Sequence, residues 1–428
     1  MGNYNDVMKR TEWYRHDRFG LFIHWGLYAI PGKREWVKSD ERLSNEQYEK
    51  YFENFTAENY DPREWAKLAK KAGMKYAVLT AKHHEGFCLF DSALTDYKAT
   101  NCPAGRDLVR EYVDAFRAEG IKVGLYYSLI DWHHPDYPHY GDRIHPQRSN
   151  PDEQNDKRDF SRYVEYMHGQ VRELLTNYGK IDLMWFDFSY GEMSGEKWEA
   201  TKLITMAREL QPHLIIDNRL HTSRGEIDLD EMPIYSGDFV SPEQFVPKSG
   251  IVDKHGRPMP WEACITTQAD SWGYSATNDK FLSARDIIFM LVDCVSKNGN
   301  LLLNVGPTSK GEFPKKTIEV LNEVGEWMHE NSESIYGCGA VDVPTPEFGR
   351  YTGKDGIVYA HVFDKSGYCL NMNGINENDV KYAFYLEDMT EVTVAPFWNA
   401  EAKSSDAAVT LGASLKNPID TVLKIVKK

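Results

Sequence analysis

Short apolar runs alternate with longer amphipathic stretches over the first three quarters of the chain. The runs are "GLFIHWG" (20–26), "YAVLTAK" (76–82), "KVGLYYSL" (122–129), "IDLMWFDF" (181–188), "LIIDNRL" (214–220), "WEACITT" (261–267) and "NLLLNVGP" (300–307). Each has the length and apolar density of a buried strand. Helical spacing of apolar residues fills the intervals: Pro62–Ala72, 107–120 ending on Gly120, 159–179, Trp198–Leu210, 284–299 and 315–331. Strands that alternate with helices form parallel sheets through right-handed crossovers. Seven strands are clear, and a short run at 238–240 ("DFV") makes an eighth. That count predicts a (β/α)8-like TIM barrel in preference to an open doubly wound sheet.

After about residue 340 the helical spacing stops. "GIVYAHVFD", "YCLNMNG", "YAFYLED", "MTEVTVAPFW", "AAVTLGA" and "PIDTVLKIVKK" read as short strands separated by turn residues. The expected organisation is a barrel over 1–340 followed by an all-β sandwich over 341–428.

Composition narrows the function. The chain has 428 residues, 41% of them hydrophobic, enough for a large core and a smaller one. A net charge of −15 speaks against nucleic-acid and anionic-membrane surfaces, which need clustered Lys and Arg. No stretch approaches the ~20 apolar residues of a membrane helix. The N-terminus lacks the apolar core of a signal peptide, which gives a cytoplasmic expectation that a trimmed secreted protein would meet equally. Six cysteines are scattered with no CxxC spacing, so they form neither a zinc cluster nor a dense disulfide framework. Aromatic residues make up 13% of the chain, and several stand beside His, Asp or Glu at strand ends. Flat rings next to polar groups suit the C–H faces of carbohydrates.

A barrel carries its active site at the C-terminal ends of its strands. The strand ends here bring His24 and Trp25, His83 and His84, Tyr126 and Tyr127, Trp185 and Asp187, Arg219, and Glu262. Any one of these can be a satisfied buried polar residue, but a purely structural barrel needs no such ring of them. Adjacent His83 and His84 would point to opposite faces of a regular strand and can reach one pocket only where the strand ends. Asp187 follows apolar neighbours and could be a helix N-cap, a general base, a metal ligand or a nucleophile. Glu243, in the loop "SPEQF", could be a general acid/base or a solvated surface residue. Glu262 lies within a strand, where a carboxylate is costly unless paired.

Seven motifs, in order and with barrel-like spacing, carry a resemblance: "FIHWGLY", "GKREW", "KHHEGFCLFDS", "GLYYSLIDW", "WFDF", "WEACITTQADSWGY" and "NGNLLLNVGP". From about Trp13 to Tyr336 the chain resembles the α-L-fucosidases of glycoside hydrolase family 29. The resemblance implies a barrel followed by a β-sandwich, no cofactor and no metal, and a fucosylated oligosaccharide or glycoconjugate as substrate. It implies retention, with Asp187 as nucleophile and a second carboxyl group as acid/base. Glu243 is the favoured acid/base and Glu262 the alternative. His24, Glu35, Trp36, His83, His84, Tyr126, Trp185 and Arg219 match residues that hold the sugar, and Trp272 matches the aromatic near its methyl group. "WFDF" departs from the family's "WFDG"-like form, because Phe188 stands where a small residue is usual. Two other classes stay open: a metal-dependent barrel hydrolase using His83, His84 and Asp187, and a non-catalytic sugar-binding protein. The loops 133–157 and 221–260, which would meet the aglycone, give no guidance on linkage, and oligomeric state is equally silent.

Overall fold

The computed structural model describes residues 3–222, 226–365, 368–396, 406–412 and 414–428. Seven parallel strands form the first sheet: β1 Phe19–Ile23, β2 Tyr76–Lys82, β3 Lys122–Ser128, β4 Leu183–Asp187, β5 Ile215–Ile216, β6 Glu262–Thr266 and β7 Asn300–Val305. Their order is β5-β4-β3-β2-β1-β7-β6, so sequential strands are neighbours and β1 meets β7. The gap between β5 and β6 is closed by the 238–244 segment. Asp238 donates its N–H to the carbonyl of Ile216 (2.7 Å), Glu262 donates to Val240 (2.9 Å), and Gln244 donates to Cys264 (2.9 Å). The expected eighth strand is therefore present as a chain of isolated parallel bridges, and the barrel is complete.

Helices Pro62–Lys71, Leu108–Ala118, Phe160–Asn177, Ala200–Leu210, Ala284–Val295 and Lys315–Asn331 wrap the barrel. Their starts are set by side-chain caps: Asp61, Asp107 and Asp159 each accept a first-turn N–H, and Ser283 with Asp286 makes a capping box. The helix expected from Trp198 begins at Ala200, because Glu199 adopts a left-handed φ of 48° after a 3-10 turn at Gly195–Trp198. Among the described residues between β5 and β6 no helix forms, only the 3-10 turn Ile234–Ser236. Two short helices, Tyr4–Arg10 and Glu12–Asp17, close the barrel's lower end; the carbonyl of Tyr14 accepts from Asn300 at the start of β7.

The C-terminal unit is a sandwich of two antiparallel sheets. One contains β8 Gly349–Lys354, β9 Ile357–Val362, β11 Val380–Tyr385 and β14 Thr421–Lys427 in the order β11-β14-β9-β8; the other contains β10 Cys369–Asn376, β12 Val394–Pro396 and β13 Asp406–Thr410 in the order β10-β13-β12. Val358, Ala360, Leu423 and Ile425 of the first sheet share one core with Leu370, Met372, Ala407 and Val409 of the second. The expected strand runs reach Phe397 and Trp398 in one case and Ala413 in another, and these three residues lie outside the described ones. β8 escaped the sequence pattern because "GRYTGK" offers no apolar alternation. The sandwich docks through Arg285, which donates to the carbonyls of Pro418, Ile419 and Phe363, and through Trp327, whose Nε1 donates to the carbonyl of Asp420. Among the described residues no helix is long and apolar enough to cross a membrane.

Candidate active site

The barrel's own periodicity builds the floor of a pocket. Residues two apart on a strand point the same way, so Phe22 of β1 and His24 just past its end, and Trp185 and Asp187 of β4, face the axis together. Tyr126 of β3 stacks on Trp185 with ring centroids 5.7 Å apart. These residues line a cavity of about 80 Å³ at the C-terminal mouth, together with Glu35, Trp36, His83, His84, Phe188, Arg219, Glu243 and Trp272. Larger clefts exist, about 660 Å³ against the sandwich and about 830 Å³ beside Trp65. A cleft of about 390 Å³ brings the buried carboxylate of Asp238 to Arg10 and Arg208, but no histidine lines any of the three.

Asp187 is the centre of the pocket. Its Oδ2 accepts the Tyr126 hydroxyl at 2.8 Å and lies 3.9 Å from Nε2 of His84. Its Oδ1 accepts from Nη1 of Arg219 at 3.1 Å. The same Nη1 donates to Oε2 of Glu243 at 2.7 Å. The two carboxylate oxygens are thus no farther apart than those two lengths laid end to end, which is short of the ~6.5 Å where inverting pairs begin. Arg219 is fixed in turn: its Nε and Nη2 donate to Ser241, and its guanidinium lies over the Trp185 ring at 4.4 Å. Burial pushes the carboxyl of Asp187 upward, against the pull of Arg219, while Glu243 adds to the rise and the Tyr126 hydrogen bond opposes it. Glu243 itself stands at the rim, its side chain 43% exposed.

The surrounding polar groups are held from behind. Glu35 is buried and accepts the backbone N–H groups of Trp272 (3.1 Å) and Gly273 (2.8 Å) with one oxygen. Burial raises its carboxyl, with the Gly273 N–H opposing. His24 is pushed down to about 3 by burial, against its hydrogen bond to Asn304. His83 and His84 are driven well below the usual imidazole range, again mainly by burial and then by neighbouring histidines. The two rings lie 4.0 Å apart, so the strand's end does turn both into one pocket.

One expectation is corrected. Glu262 was counted among the strand ends, but it is the first residue of β6, at the barrel's opposite end, paired with Asn300. Its side chain lies beneath the pocket floor, where Oε2 accepts the Tyr76 hydroxyl at 2.5 Å. Burial pushes its carboxyl up to about 7, opposed first by the Tyr76 hydrogen bond. Its place as second residue of the 261–267 run already sets it at the strand's N-terminal end, away from the mouth.

Phe188 shows why its position is usually small. Its φ is 83°, the left-handed region that favours glycine. A bulky residue there costs on the order of 1–3 kcal/mol. Its ring packs against His84 (5.0 Å), Trp36 (5.4 Å) and Tyr190 (5.7 Å), forming one wall of the pocket. Phe22, Ser128 and Asn304 escaped the sequence reading. Phe22 could have been found from its two-residue spacing to His24; the other two lie within "GLYYSLIDW" and "NGNLLLNVGP" but act through neighbours.

His83, His84 and Asp187 do not assemble as a cation site. Their ligand atoms do not gather within 4.8 Å of one another as a three-ligand group among the described residues. Among the described residues the one group of ligand type, Asp228, Asp230 and His255, lies outside the pocket and is paired with Lys254 and Arg257.

Similarity to known proteins decides the family. The family model described as Alpha-L-fucosidase matches residues 3–333. The chain belongs to the α-L-fucosidase family. It is 56% identical to α-L-fucosidase isoenzyme 1 from Paenibacillus thiaminolyticus, with a TM-score of 0.95 over 99% of this chain and 100% of that one. A family 29 α-L-fucosidase from Bacteroides thetaiotaomicron, solved as a trapped covalent intermediate with 2-fluoro-fucosyl fluoride, is 29% identical, with a TM-score of 0.82 over 98% of this chain and 96% of that one. The α-L-fucosidase of Branchiostoma floridae is 30% identical over 84% of this chain and 80% of its own length. The chain is accordingly a retaining glycoside hydrolase of this family.

Proposed function

We propose that the pocket hydrolyses terminal α-L-fucosides of oligosaccharides or glycoconjugates with Asp187 as nucleophile and Glu243 as acid/base. The observation that carries this reading is the shared Nη1 of Arg219, which brings one oxygen of each carboxylate to the same nitrogen, as a closely set pair requires. In the first step an Asp187 oxygen forms a bond to the anomeric carbon while the glycosidic C–O bond breaks, and Glu243 passes its proton to the leaving oxygen. In the second step Glu243 takes a proton from water, whose oxygen displaces Asp187. Arg219 and Tyr126 support the ionised form that Asp187 needs. Glu243, open to solvent at the rim, can load and unload a proton. The sugar ring would lie over Trp185 with its hydroxyls among His24, Glu35, Trp36, His83 and His84. Phe22 and Trp272, with rings 5.9 Å apart, would form an apolar corner for the methyl group.

Leaving-group dependence tests the pair. Glu243→Ala should cripple cleavage of a fucosyl disaccharide far more than that of a nitrophenyl α-L-fucoside, by a further 10²–10⁴-fold or thereabouts. Azide needs no base, so it should rescue the variant by displacing Asp187 from the covalent intermediate, and this second inversion yields α-fucosyl azide. Equal losses on both substrates with no rescue would remove Glu243 from the role.

A further inference from the structure

Two residues that touch no substrate position decide what the pocket histidines can offer. Asn304, buried in β7, faces Nδ1 of His24 with its side-chain oxygen at 2.7 Å and donates its Nδ2–H to the carbonyl of Trp272 at 2.8 Å. The amide has one consistent orientation, since turning it over would set its oxygen against the Trp272 carbonyl, two acceptors in contact. Nδ1 of His24 therefore carries the hydrogen. Burial keeps that ring neutral, down to about 3, so its Nε2 holds a bare lone pair.

Ser128 does the same at His84. Its hydroxyl donates to the carbonyl of Ile130 at 2.7 Å. With its single hydrogen spent there, its oxygen can only accept from Nδ1 of His84, 2.7 Å away. Nε2 of His84 is left bare, 3.9 Å from the Asp187 carboxylate.

We propose that Asn304 and Ser128 are positioning residues that lock His24 and His84 in the Nδ1–H form, so that the pocket presents two acceptor nitrogens to hydroxyl hydrogens of the sugar. This rests on the fucoside reading of the pocket. It deepens that reading by fixing the polarity of two sugar contacts: a hydroxyl at either place can donate, whereas a fluorine or methoxy group there cannot. Asn304 also joins His24 to the Trp272 loop, which Glu35 grips from its other side.

The test uses Asn304→Asp, Asn304→Ser and Ser128→Ala in the full chain. The groups around His24 are His83 from the end of β2, Tyr126 from β3, Phe22 and Trp272, with the charge of Arg219 beyond. A carboxylate at position 304 favours the imidazolium, in which Nε2 becomes a donor. For Asn304→Asp, kcat/KM on an aryl α-L-fucoside should gain a second acidic limb in addition to the one Asp187 sets in the parent, falling about a further tenfold per pH unit below the new ionisation. Asn304→Ser should lose activity without that limb. Nitrogen-15 NMR of the histidine rings reads the tautomers directly: Nδ1–H for both residues in the parent, mixed forms for His84 in Ser128→Ala. An Nε2–H form in the parent, or an Asn304→Asp profile parallel to the parent's, would overturn the proposal. The NMR reading does not depend on turnover, so a parent that shows the expected tautomers but leaves the aryl fucoside intact would overturn the fucoside reading alone.

Discussion

The Tyr126 hydroxyl donates a 2.8 Å hydrogen bond to Oδ2 of Asp187, and the register of β3 against β4 puts it there. Tyr126 pairs with Trp185 and Ser128 with Asp187, so the phenol stands one step below the carboxylate on the inward face. Burial holds the Tyr126 hydroxyl well above its usual range, so it stays a donor at any working pH. The bond stabilises the charged form of a carboxylate that burial would otherwise neutralise.

Tyr126→Phe removes that donor. A carboxylate that must be ionised loses activity as pH falls through its pKa, and losing the bond raises that pKa. The acidic limb of kcat/KM should therefore move to higher pH, and kcat should fall about ten- to a hundredfold, the worth of a hydrogen bond to a charged group. A pH–rate profile on an aryl α-L-fucoside checks both; an unmoved limb would show that the bond does not tune Asp187.

Asp187→Asn should lower turnover by roughly four or more orders of magnitude, because the amide keeps the shape and loses the nucleophile. The unfolding midpoint should hold or rise, since a buried carboxyl that is costly to ionise has gone. Near-normal hydrolysis would dismiss the assignment.

Glu262 predicts a pH dependence of stability. Its carboxyl is raised to about 7 in the folded chain and titrates near the ordinary carboxylate value when unfolded. The folded state then holds more protons across that window, so the contribution is fully present below about pH 4.5 and is lost as pH rises through about 7. Glu262→Gln should remove this slope, gaining on the parent by up to about 3 kcal/mol between those limits. Denaturant unfolding of both proteins at pH 4.5 and pH 8 measures it; parallel curves would contradict the burial argument.

Strand and helix positions were legible because the barrel buries strands on both faces and helices on one, and each condition leaves its own period. Seven strands and six helices follow from it. The 4–10 and 12–17 helices were not legible, since their few apolar residues are used to plug a barrel end and not to form a stripe. The site was legible as far as side chains share the inward face of a strand end: His24, His83, His84, Trp185 and Asp187 all do. Glu262 was misplaced although its position as second residue of the 261–267 run sets it at the strand's N-terminal end, away from the mouth. Asn304 and Ser128 were invisible because their work is done on another residue's ring.

At position 188 the usual order of small residues should reverse. Phe188→Gly and Phe188→Ala lose the same ring, but only alanine keeps a Cβ in the left-handed region. The glycine variant should be the more stable by about 1 kcal/mol, whereas glycine is normally the weaker residue. Thermal unfolding of the pair decides it, and an alanine variant of equal or greater stability would mean that the backbone relaxes out of this conformation.

Dialysis against a chelator should leave aryl fucoside hydrolysis unchanged, since Asp187 is engaged by Arg219 and Tyr126. Loss of activity restored by zinc or manganese would revive the reading in which His83, His84 and Asp187 bind a cation.

The barrel is braced unevenly around its circumference. Asp187 ends a five-residue strand paired along its length with β3 and backed by helices, while Glu243 rides on the bridged 238–244 segment, in the arc where no helix forms among the described residues. One wall of the reaction is anchored and the other is suspended. Substitutions in the suspended arc can retune how a proton reaches a new leaving group while the covalent chemistry keeps its foundation, so this arc is where engineering toward a different fucosyl linkage should begin.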